Sequence, residues 1–464
     1  MISKGAGRES GVRGEGMASV PVDRRLRRIG LSAFSSLGAR AVTVAISFVT
    51  VPLCLSYLGT DLYGLWATIT SFVAMLVFVD MGIGNGVMNG VASAYGREDY
   101  AAIRRIVANG LLVLSLVALA GLALFGAWFP FVSWIDVLGL KDSALESVAA
   151  RSMAVLAVLF ALNIPAGVVQ RVQFALQQGY LSGIFQVVGS VLSLGLIVLA
   201  VAGDWGLTGL VAAFLAAPLI AAWIGGLLML RKQAYLRPRI PDIDRKAMKD
   251  LAATGMQFFA LQVAAAVCYG TDNIVIAHLA GHDAVAAYSV HLKLFSPIQI
   301  LAGVALTPLW PAYSEALARG DLAWVRRILA RSLFFLAFGG AVCAAAVLAL
   351  ADPLMRIWLG GRIAADFGLS AALCVWVIVE LTGRGIAMFL NGANILKAQL
   401  AIVAVFVPLC IALKVLLVRD YGAAGAPMAL ALSYAATHIP GYGLILRRWF
   451  AGNRTDARRL EAAE

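Results

Sequence analysis

Six ionisable side chains lie deep inside long apolar stretches of the sequence, and their types suggest two kinds of chemistry. They are the basic residues Arg40, Lys293 and Arg384 and the acidic residues Asp80, Asp272 and Glu380. A charge at the centre of a membrane span costs about 2.5–3.5 kcal/mol on insertion scales, so it normally faces a polar cavity or an ionic partner. The basic residues are therefore candidate contacts for an anionic substrate. The acidic residues are candidates for binding a coupling proton or sodium ion.

Two interpretations of these charges stay open. In the first, the cations line a water-filled chamber, where the planar guanidinium of an arginine can bind phosphate through two hydrogen bonds. In the second, opposite charges pair and hold the helices together. The spacing of Glu380 and Arg384 favours pairing for these two, because residues four apart share one face of a helix. Arg171 and Lys414 lie nearer the ends of apolar runs, where we expect their charged heads to reach the membrane surface.

Residues that weaken helices interrupt two of the same apolar runs. Gly82, Gly84 and Gly86 occupy alternate positions in one run, and Pro297 and Pro308 interrupt another. Glycine costs a helix about 1 kcal/mol relative to alanine, and proline removes a backbone hydrogen bond and kinks the helix. These five residues are candidate hinges. Close helix packing at the glycines is the alternative.

The composition indicates that the helices bearing these residues cross a membrane. Of 464 residues, 61% are hydrophobic and only 13% are charged, and the mean hydropathy is +0.87. A soluble domain has about a quarter of its residues charged. Apolar runs long enough to cross a bilayer lie near residues 30–56, 62–92, 103–129, 147–173, 181–202, 207–231, 250–278, 284–314, 323–350, 366–392, 396–418 and 423–447. The sequence thus predicts an all-α polytopic membrane protein with about twelve transmembrane helices.

The distribution of Lys and Arg orients these spans. The net charge is +12, but the positive residues fall in short clusters between apolar runs, which is not the pattern of a nucleic-acid-binding face. Alternate loops hold about five times more Lys and Arg than the others, and such loops stay in the cytoplasm. Both termini are therefore predicted to be cytoplasmic. Residues 1–26 are predicted to form a disordered basic tail, and either Met1 or Met17 is the true start.

The two halves of the sequence resemble each other at a fixed offset of 222 residues. Residues 99–106 match residues 321–328, and the same offset aligns Gly59 with Gly281 and Trp66 with Tyr288. Because six spans separate matching positions, the halves have the same orientation. The sequence predicts two parallel six-helix repeats around a central cavity. The predicted divisions are an N-terminal lobe at 27–232, a cytoplasmic linker at 233–249, a C-terminal lobe at 250–450 and a cytoplasmic tail at 451–464.

Signals for catalysis are lacking in the sequence. Every predicted loop is shorter than about 20 residues, and the five cysteines lie in apolar runs outside any CxxC spacing. No paired-carboxylate, Ser/His/Asp, P-loop or zinc motif is present. We therefore predict no catalytic residue, metal or cofactor. A membrane-embedded glycan polymerase or ligase and a scaffold are the alternatives outside transport.

Several short motifs resemble one known family when taken in their order and spacing. They are Tyr-Leu-Gly at 57–59, Tyr-Gly-Leu-Trp at 63–66, Asp-x-Gly-x-Gly-Asn-Gly at 80–86, Asp-Asn-Ile-Val-Ile at 272–276, Gly281, Tyr-Ser at 288–289 and Asn-Gly at 391–392. With the twelve-span count, this combination resembles the polysaccharide transporter (Wzx-like) flippases. These belong to the multidrug/oligosaccharidyl-lipid/polysaccharide exporter superfamily. The resemblance covers nearly the whole chain from about Arg27 onward.

The resemblance implies two six-helix lobes around a cationic cavity that opens alternately to each side of a bacterial inner membrane. The implied substrate is an oligosaccharide, an O-antigen or exopolysaccharide unit, linked through pyrophosphate to a polyprenyl lipid. Membrane lipids, a coupling proton or sodium ion and the glycan polymerase machinery are the other implied partners, and nucleic acid is not one. A lipid II flippase and a multidrug antiporter of the same superfamily remain as alternatives.

Overall fold

The structure is a computed structural model, and it describes residues 22–75, 79–138, 145–359 and 364–461. The first 21 residues, which include both possible start methionines and most of the predicted N-terminal tail, lie outside the described residues. Within the described ranges all the regular elements are helical. The first helix begins at Val22, so the last five residues of the predicted disordered tail at 1–26 are helical, and the last helix continues through the predicted C-terminal tail to Glu461.

The N-terminal lobe contains the first seven α-helices of the described chain. They are α1 (Val22–Met75), α2 (Ile83–Gly96), α3 (Tyr100–Trp128), α4 (Trp134–Leu138), α5 (Glu146–Ala175), α6 (Gly179–Ala202) and α7 (Gly206–Lys232). The C-terminal lobe contains the other nine. They are α8 (Arg245–Gly270), α9 (Asp272–Ala280), α10 (His282–Leu306), α11 (Leu309–Ala318), α12 (Leu322–Phe334), α13 (Gly340–Leu359), α14 (Phe367–Gly392), α15 (Leu396–Tyr421) and α16 (Gly425–Glu461).

Ten continuous helical stretches of the described chain are long and apolar enough to cross a membrane. Two of them contain a turn between two spans. Arg27–Phe72 is 46 residues long and has a non-helical residue at Gly59, and Leu396–Gly452 is 57 residues long and is broken at Gly422. A straight helix of 46 residues would measure about 69 Å, more than twice the hydrocarbon core. When each of these two stretches is counted as two, the described residues give twelve candidate spans, which is the number that the sequence predicted.

The predicted internal repeat is confirmed by the backbone. Gly59 (φ 73°, ψ 177°) and Gly281 (φ 87°, ψ 173°) adopt the same conformation at positions 222 residues apart. Helices α2 and α11 end 222 residues apart, at Gly96 and Ala318, and α3 and α12 begin at the same offset. Asp99 and Asp321 cap these last two helices, and each accepts a hydrogen bond from the backbone three residues later. The shared motif thus specifies the same local structure in each half.

Between the lobes, residues 233–244 form a linker that is fixed to α3. The guanidinium of Arg104 donates a 2.8 Å hydrogen bond to the carboxylate of Asp242, and this bond holds the pKa of Asp242 below its ordinary value. The side chain of Asn109 donates to the Asp242 carbonyl and accepts from the Asp244 amide. Helix α8 begins directly afterwards, at Arg245, so the linker ends five residues before the predicted boundary at 249. We call the end of the molecule that carries this linker the linker side, and the opposite end the far side.

The two lobes pack together on the linker side and form separate cores on the far side. One apolar cluster joins α2 of the N-terminal lobe, at Val87 and Val91, to Leu251, Phe258 and Trp310 of the C-terminal lobe. On the far side, one cluster contains residues of the N-terminal lobe and another contains residues of the C-terminal lobe, and neither includes a described residue of the opposite lobe. The molecule is therefore closed at the linker side.

Candidate functional site

The lobes approach each other closely at Gly82, immediately before α2. Its φ of 68° lies in the left-handed region that favours glycine. A β-carbon at Gly82 would lie 2.5 Å from the carbonyl oxygen of Gly255 on α8, and one at Gly255 would lie 2.8 Å from the side chain of Ile83. Gly86 also faces α8, whereas Gly84 faces the side chains of Asp80 and Arg171. Two of the three predicted hinge glycines therefore provide close packing between the lobes.

The predicted hinge prolines occupy different positions in the eighth span. Pro308 precedes α11, where the helix is interrupted after Leu306, while Pro297 lies within the continuous helix α10. The second span is interrupted in a similar region of its own repeat, before α2. The short helices α2 and α11 that follow these breaks pack against each other on the linker side.

Asn89 of α2 is the centre of a hydrogen-bonded contact with the other lobe. Its side-chain oxygen accepts from the indole Nε1 of Trp310 at 2.6 Å, and its amide nitrogen donates to the carbonyl of Asn391 at 2.5 Å. The hydroxyl of Ser314 donates to the Asn89 backbone carbonyl, and Gln399 donates to the side chain of Asn391. Buried polar groups require such partners, so the polar side chains of the two lobes satisfy each other here.

A cavity of about 570 Å³ adjoins this contact on the linker side and is lined by both lobes. Arg97, Arg105 and Asp250 contribute charged side chains to its wall, and Ser93 accepts a hydrogen bond from Arg97. A salt bridge of 3.3 Å between Arg319 and Glu98 also crosses the lobe boundary near this point.

Two of the three predicted substrate-binding cations are exposed. Arg40 of α1 and Lys293 of α10 make no ion pair with any described residue. Helices α1 and α10 contact each other across the lobe boundary. Both side chains are therefore exposed, without an ionic partner among the described residues, on two helices that contact each other across the lobe boundary.

The third predicted cation, Arg384, is paired on its own helix. Its guanidinium lies 2.7 Å from the carboxylate of Glu380, one turn earlier on α14. Gln299 of α10 donates to the other oxygen of Glu380 and accepts from Arg384 through its backbone carbonyl. The local pair expected from the four-residue spacing is present. The Arg384 side chain nevertheless stays 34% exposed, compared with 6% for Glu380.

Asp80 lies at the break before α2 and forms a local turn. Its carboxylate accepts from the backbone amide of Gly82 at 2.9 Å and lies 3.8 Å from the guanidinium of Arg171 on α5. Arg171 was expected to reach the membrane surface; its head contacts this carboxylate, and its side chain stays 34% exposed. Both side chains of the pair are partly exposed.

Asp272 and Lys414 form a sealed ion pair inside the C-terminal lobe. The amine of Lys414 lies 2.5 Å from the Asp272 carboxylate and donates to the carbonyl of Cys268. Tyr288 donates a 2.6 Å hydrogen bond to the second carboxylate oxygen of Asp272. The expectation that Lys414 reaches the membrane surface was wrong, because its side chain is fully buried. Its partner lies on a different span, so the pair was not visible in the local sequence.

The predicted ionisable residues thus do not form one cluster. Arg40 and Lys293 lie exposed without ionic partners among the described residues, and the three acidic residues are each paired with a cation. Sequence reasoning missed Asn89, Trp310 and Gln399, since uncharged residues in apolar runs gave no signal. In the described parts of the chain, no group of three or more His, Cys, Asp or Glu residues could hold a metal ion.

Solved structures with a similar fold are transporters. The chain aligns with a MATE protein in its bent conformation at a TM-score of 0.80 and 13% identity, covering 93% of this chain and 97% of that one. A transporter of the MOP superfamily from Pyrococcus furiosus, described as having a binding pocket of reverse polarity, aligns at a TM-score of 0.74 and 13% identity over the same shares. At this identity the likeness establishes the fold, with its two-repeat arrangement.

Sequence relatives confirm the resemblance drawn from the motifs. A Yersinia pseudotuberculosis protein, whose name proposes a role in O-antigen export, is 22% identical over 374 residues, which cover 79% of this chain and 83% of the relative. Residues 30–317 match the family described as polysaccharide biosynthesis proteins. This match begins inside α1 and covers nearly all of the first repeat, the linker and the second repeat as far as residue 317 in α11. The chain belongs to the polysaccharide biosynthesis protein family.

Proposed function

We propose that the chain is a flippase that carries a polyprenyl-pyrophosphate-linked oligosaccharide across the bacterial inner membrane. The substrate would be an O-antigen or exopolysaccharide unit. Membership of the polysaccharide biosynthesis family is the observation that carries this proposal, and the relative named for O-antigen export supports it. The chain would act as a transporter and not as an enzyme.

Arg40 and Lys293 would contact the pyrophosphate of the substrate. Their exposure and their lack of an ion pair among the described residues support this role. Arginine is suited to phosphate because it stays charged and donates two parallel hydrogen bonds. Arg384 would be a weaker contact, since Glu380 already neutralises it. The polyprenyl tail would remain among the membrane lipids.

Movement would follow alternating access between two states that differ by a few kcal/mol. The closed contact at the linker side and the separate cores at the far side are features of a state open to the far side. We propose that the linker side and both termini are cytoplasmic, in accord with the distribution of Lys and Arg. Bending at Gly82, Gly84, Gly86, Pro297 and Pro308 would produce the opposite state.

A proton or sodium ion would supply the driving force through one of the paired acids. Asp80 is the strongest of the three candidates, because its pair with Arg171 is long and partly exposed. Glu380 is nearly buried beside Arg384, and Asp272 is sealed with Lys414. Glycan polymerase machinery would receive the translocated unit on the far side.

Surface glycan display in a strain that lacks the chromosomal copy of this gene tests the proposal. Wild-type protein should restore display, whereas Arg40→Ala and Lys293→Ala should each reduce it at unchanged protein level. Arg356→Ala is a matched control, because that arginine is exposed and already paired with Asp352. Normal display without the gene would contradict the proposed function. Normal display from both cation variants would contradict the cationic site, and normal display from Arg40→Lys would argue only against a bidentate contact.

A further inference from the structure

The interior of the N-terminal lobe contains two adjoining cavities of about 430 and 340 Å³. Both are lined by Thr43 of α1, Asn163 of α5, Ser190 of α6 and Pro218 of α7. Each falls within the roughly 300–1,000 Å³ range of small-molecule sites. We call the two together the amide pocket, because Asn and Gln side chains line their walls.

The amide pocket is polar but uncharged. It has amide and hydroxyl side chains in its wall and no Asp, Glu, Lys or Arg among its lining residues. Six of these polar side chains make no hydrogen bond with another described residue: Asn163, Gln170, Gln173, Ser182, Gln186 and Ser193. Ser193 is only 7% exposed, so its unpartnered hydroxyl is an unusual feature of a folded interior.

Such unpaired groups fit a ligand that is itself rich in hydroxyls. Each side-chain amide offers two donors and one acceptor oxygen, and each hydroxyl can donate and accept. The remainder of the wall is apolar and includes Trp66 and Phe214, whose rings are 5.6 Å apart. A sugar presents hydroxyls at its edge and C–H groups on its faces. A pyrophosphate, by contrast, would find no cation among the lining residues.

Arg40 lies close to this pocket along α1. It precedes Thr43 by three residues, so the two side chains lie on adjacent parts of one helical face, about 4.5 Å apart along the axis. Thr43 itself contacts Ser190 of α6 at 2.9 Å, and both residues line both cavities. A ligand in the pocket could therefore extend an anionic group towards Arg40.

We propose that the amide pocket binds uncharged sugar residues of the lipid-linked glycan while Arg40 contacts the adjoining pyrophosphate. This assignment rests on the proposed function and adds a sugar-recognition site to it. It predicts selectivity for neutral sugars, since a carboxylated sugar would lie in the pocket without a counter-charge.

Binding of two synthetic lipids to the purified full-length chain tests the assignment. One is a short-chain polyprenyl pyrophosphate that carries a neutral tetrasaccharide, and the other is the same lipid without sugar. Wild-type protein should bind the glycosylated lipid more tightly. The Asn163→Leu/Gln186→Met double variant should lose about tenfold in affinity for the glycosylated lipid alone, because hydrogen bonds to two amides are removed. Arg40→Gln should weaken the binding of both lipids.

A control variant, Leu162→Met/Ile184→Met, changes exposed apolar residues on the same two helices outside the cavities and should bind as wild type. Two results would contradict sugar binding in the amide pocket: equal wild-type affinity for both lipids, or unchanged binding of the glycosylated lipid by the double variant. Neither result would contradict the proposed function. If the wild-type chain binds neither lipid, the proposed function fails, and the pocket assignment fails with it.

Discussion

The indole nitrogen of Trp310 donates a 2.6 Å hydrogen bond to the side-chain oxygen of Asn89, and this bond joins the two lobes on the linker side. Both groups are buried, so the bond holds only while the lobes stay closed. The rings of Trp310 and Phe258 pack at 5.2 Å beside it. The same contact thus combines polar and apolar interactions across the boundary.

Trp310→Phe should therefore favour opening at the linker side. It removes the donor and keeps most of the ring packing, which leaves the Asn89 oxygen without this partner. A buried hydrogen bond contributes about 0.5–1.5 kcal/mol, so the open population should rise roughly two- to tenfold. The labelling rate of Ser93→Cys by a water-soluble maleimide measures opening, because Ser93 lines the adjoining cavity. An unchanged labelling rate would contradict this role of the Asn89–Trp310 bond.

Gly82→Ala should prevent the lobes from closing fully. The added β-carbon would meet the Gly255 carbonyl at 2.5 Å, and the φ of 68° is unfavourable for alanine. The same Ser93→Cys labelling should become several-fold faster in this variant. Gly121→Ala on α3 is the control, since nothing lies within 4 Å of its β-carbon. Equal labelling in the two glycine variants would show that the close approach is not required.

Lys414→Met should strongly destabilise the C-terminal lobe. It would leave the carboxylate of Asp272 buried without its cation, and breaking a buried pair in this way costs about 3–5 kcal/mol. Thermal unfolding in detergent should detect the loss, and Asp272→Asn should recover part of it in the double variant. Arg356→Met breaks an exposed pair with Asp352, so its unfolding temperature should barely change. A similar small change for Lys414→Met would contradict the structural role of the buried pair.

Acidification should release the linker only at low pH. The hydrogen bond from Arg104 lowers the pKa of Asp242 below its ordinary value near 3.9. The stabilisation is therefore fully present above the ordinary value and is lost as the pH falls through the lower folded-state pKa. Hydrogen exchange at residues 233–244, corrected for the intrinsic effect of pH, should stay slow down to about pH 4. Asp242→Asn should exchange quickly even at pH 7, and slow exchange in this variant would argue against the Arg104 contact.

The sequence predicted the helical fold because its signals were strong and local. Apolar runs gave the twelve spans, and the 222-residue offset identified positions that share a glycine conformation at Gly59 and Gly281. Both signals are local: an apolar residue favours its own burial in the membrane, and a glycine permits its own backbone conformation. The family resemblance also depends on local sequence, since its motifs include Gly59 and Gly281.

The candidate site could be predicted only in part, because its pairs join residues far apart in the sequence. Glu380 and Arg384 share one helix, and their pairing was foreseen from spacing alone. Lys414 and Asp272 are on different spans, as are Arg171 and Asp80, and depth along each span gave no sign of their pairing. The polar residues of the Asn89 contact and of the amide pocket are uncharged, so they do not stand out within the apolar runs of the sequence. Their roles depend on which helices become neighbours.

Translocation of a fluorescent polyprenyl-pyrophosphate oligosaccharide in vesicles that contain only this purified chain is the most direct test of the flippase account. A membrane-impermeant quencher reports how much lipid has reached the opposite leaflet. We expect rapid transfer with the wild-type chain, and transfer at least tenfold slower with the Arg40→Gln/Lys293→Gln double variant, because removing two charge-assisted contacts costs more than 1.4 kcal/mol, on the order of a factor of ten. Transfer by the wild-type chain no faster than in protein-free vesicles, under an imposed proton or sodium gradient, would contradict the account.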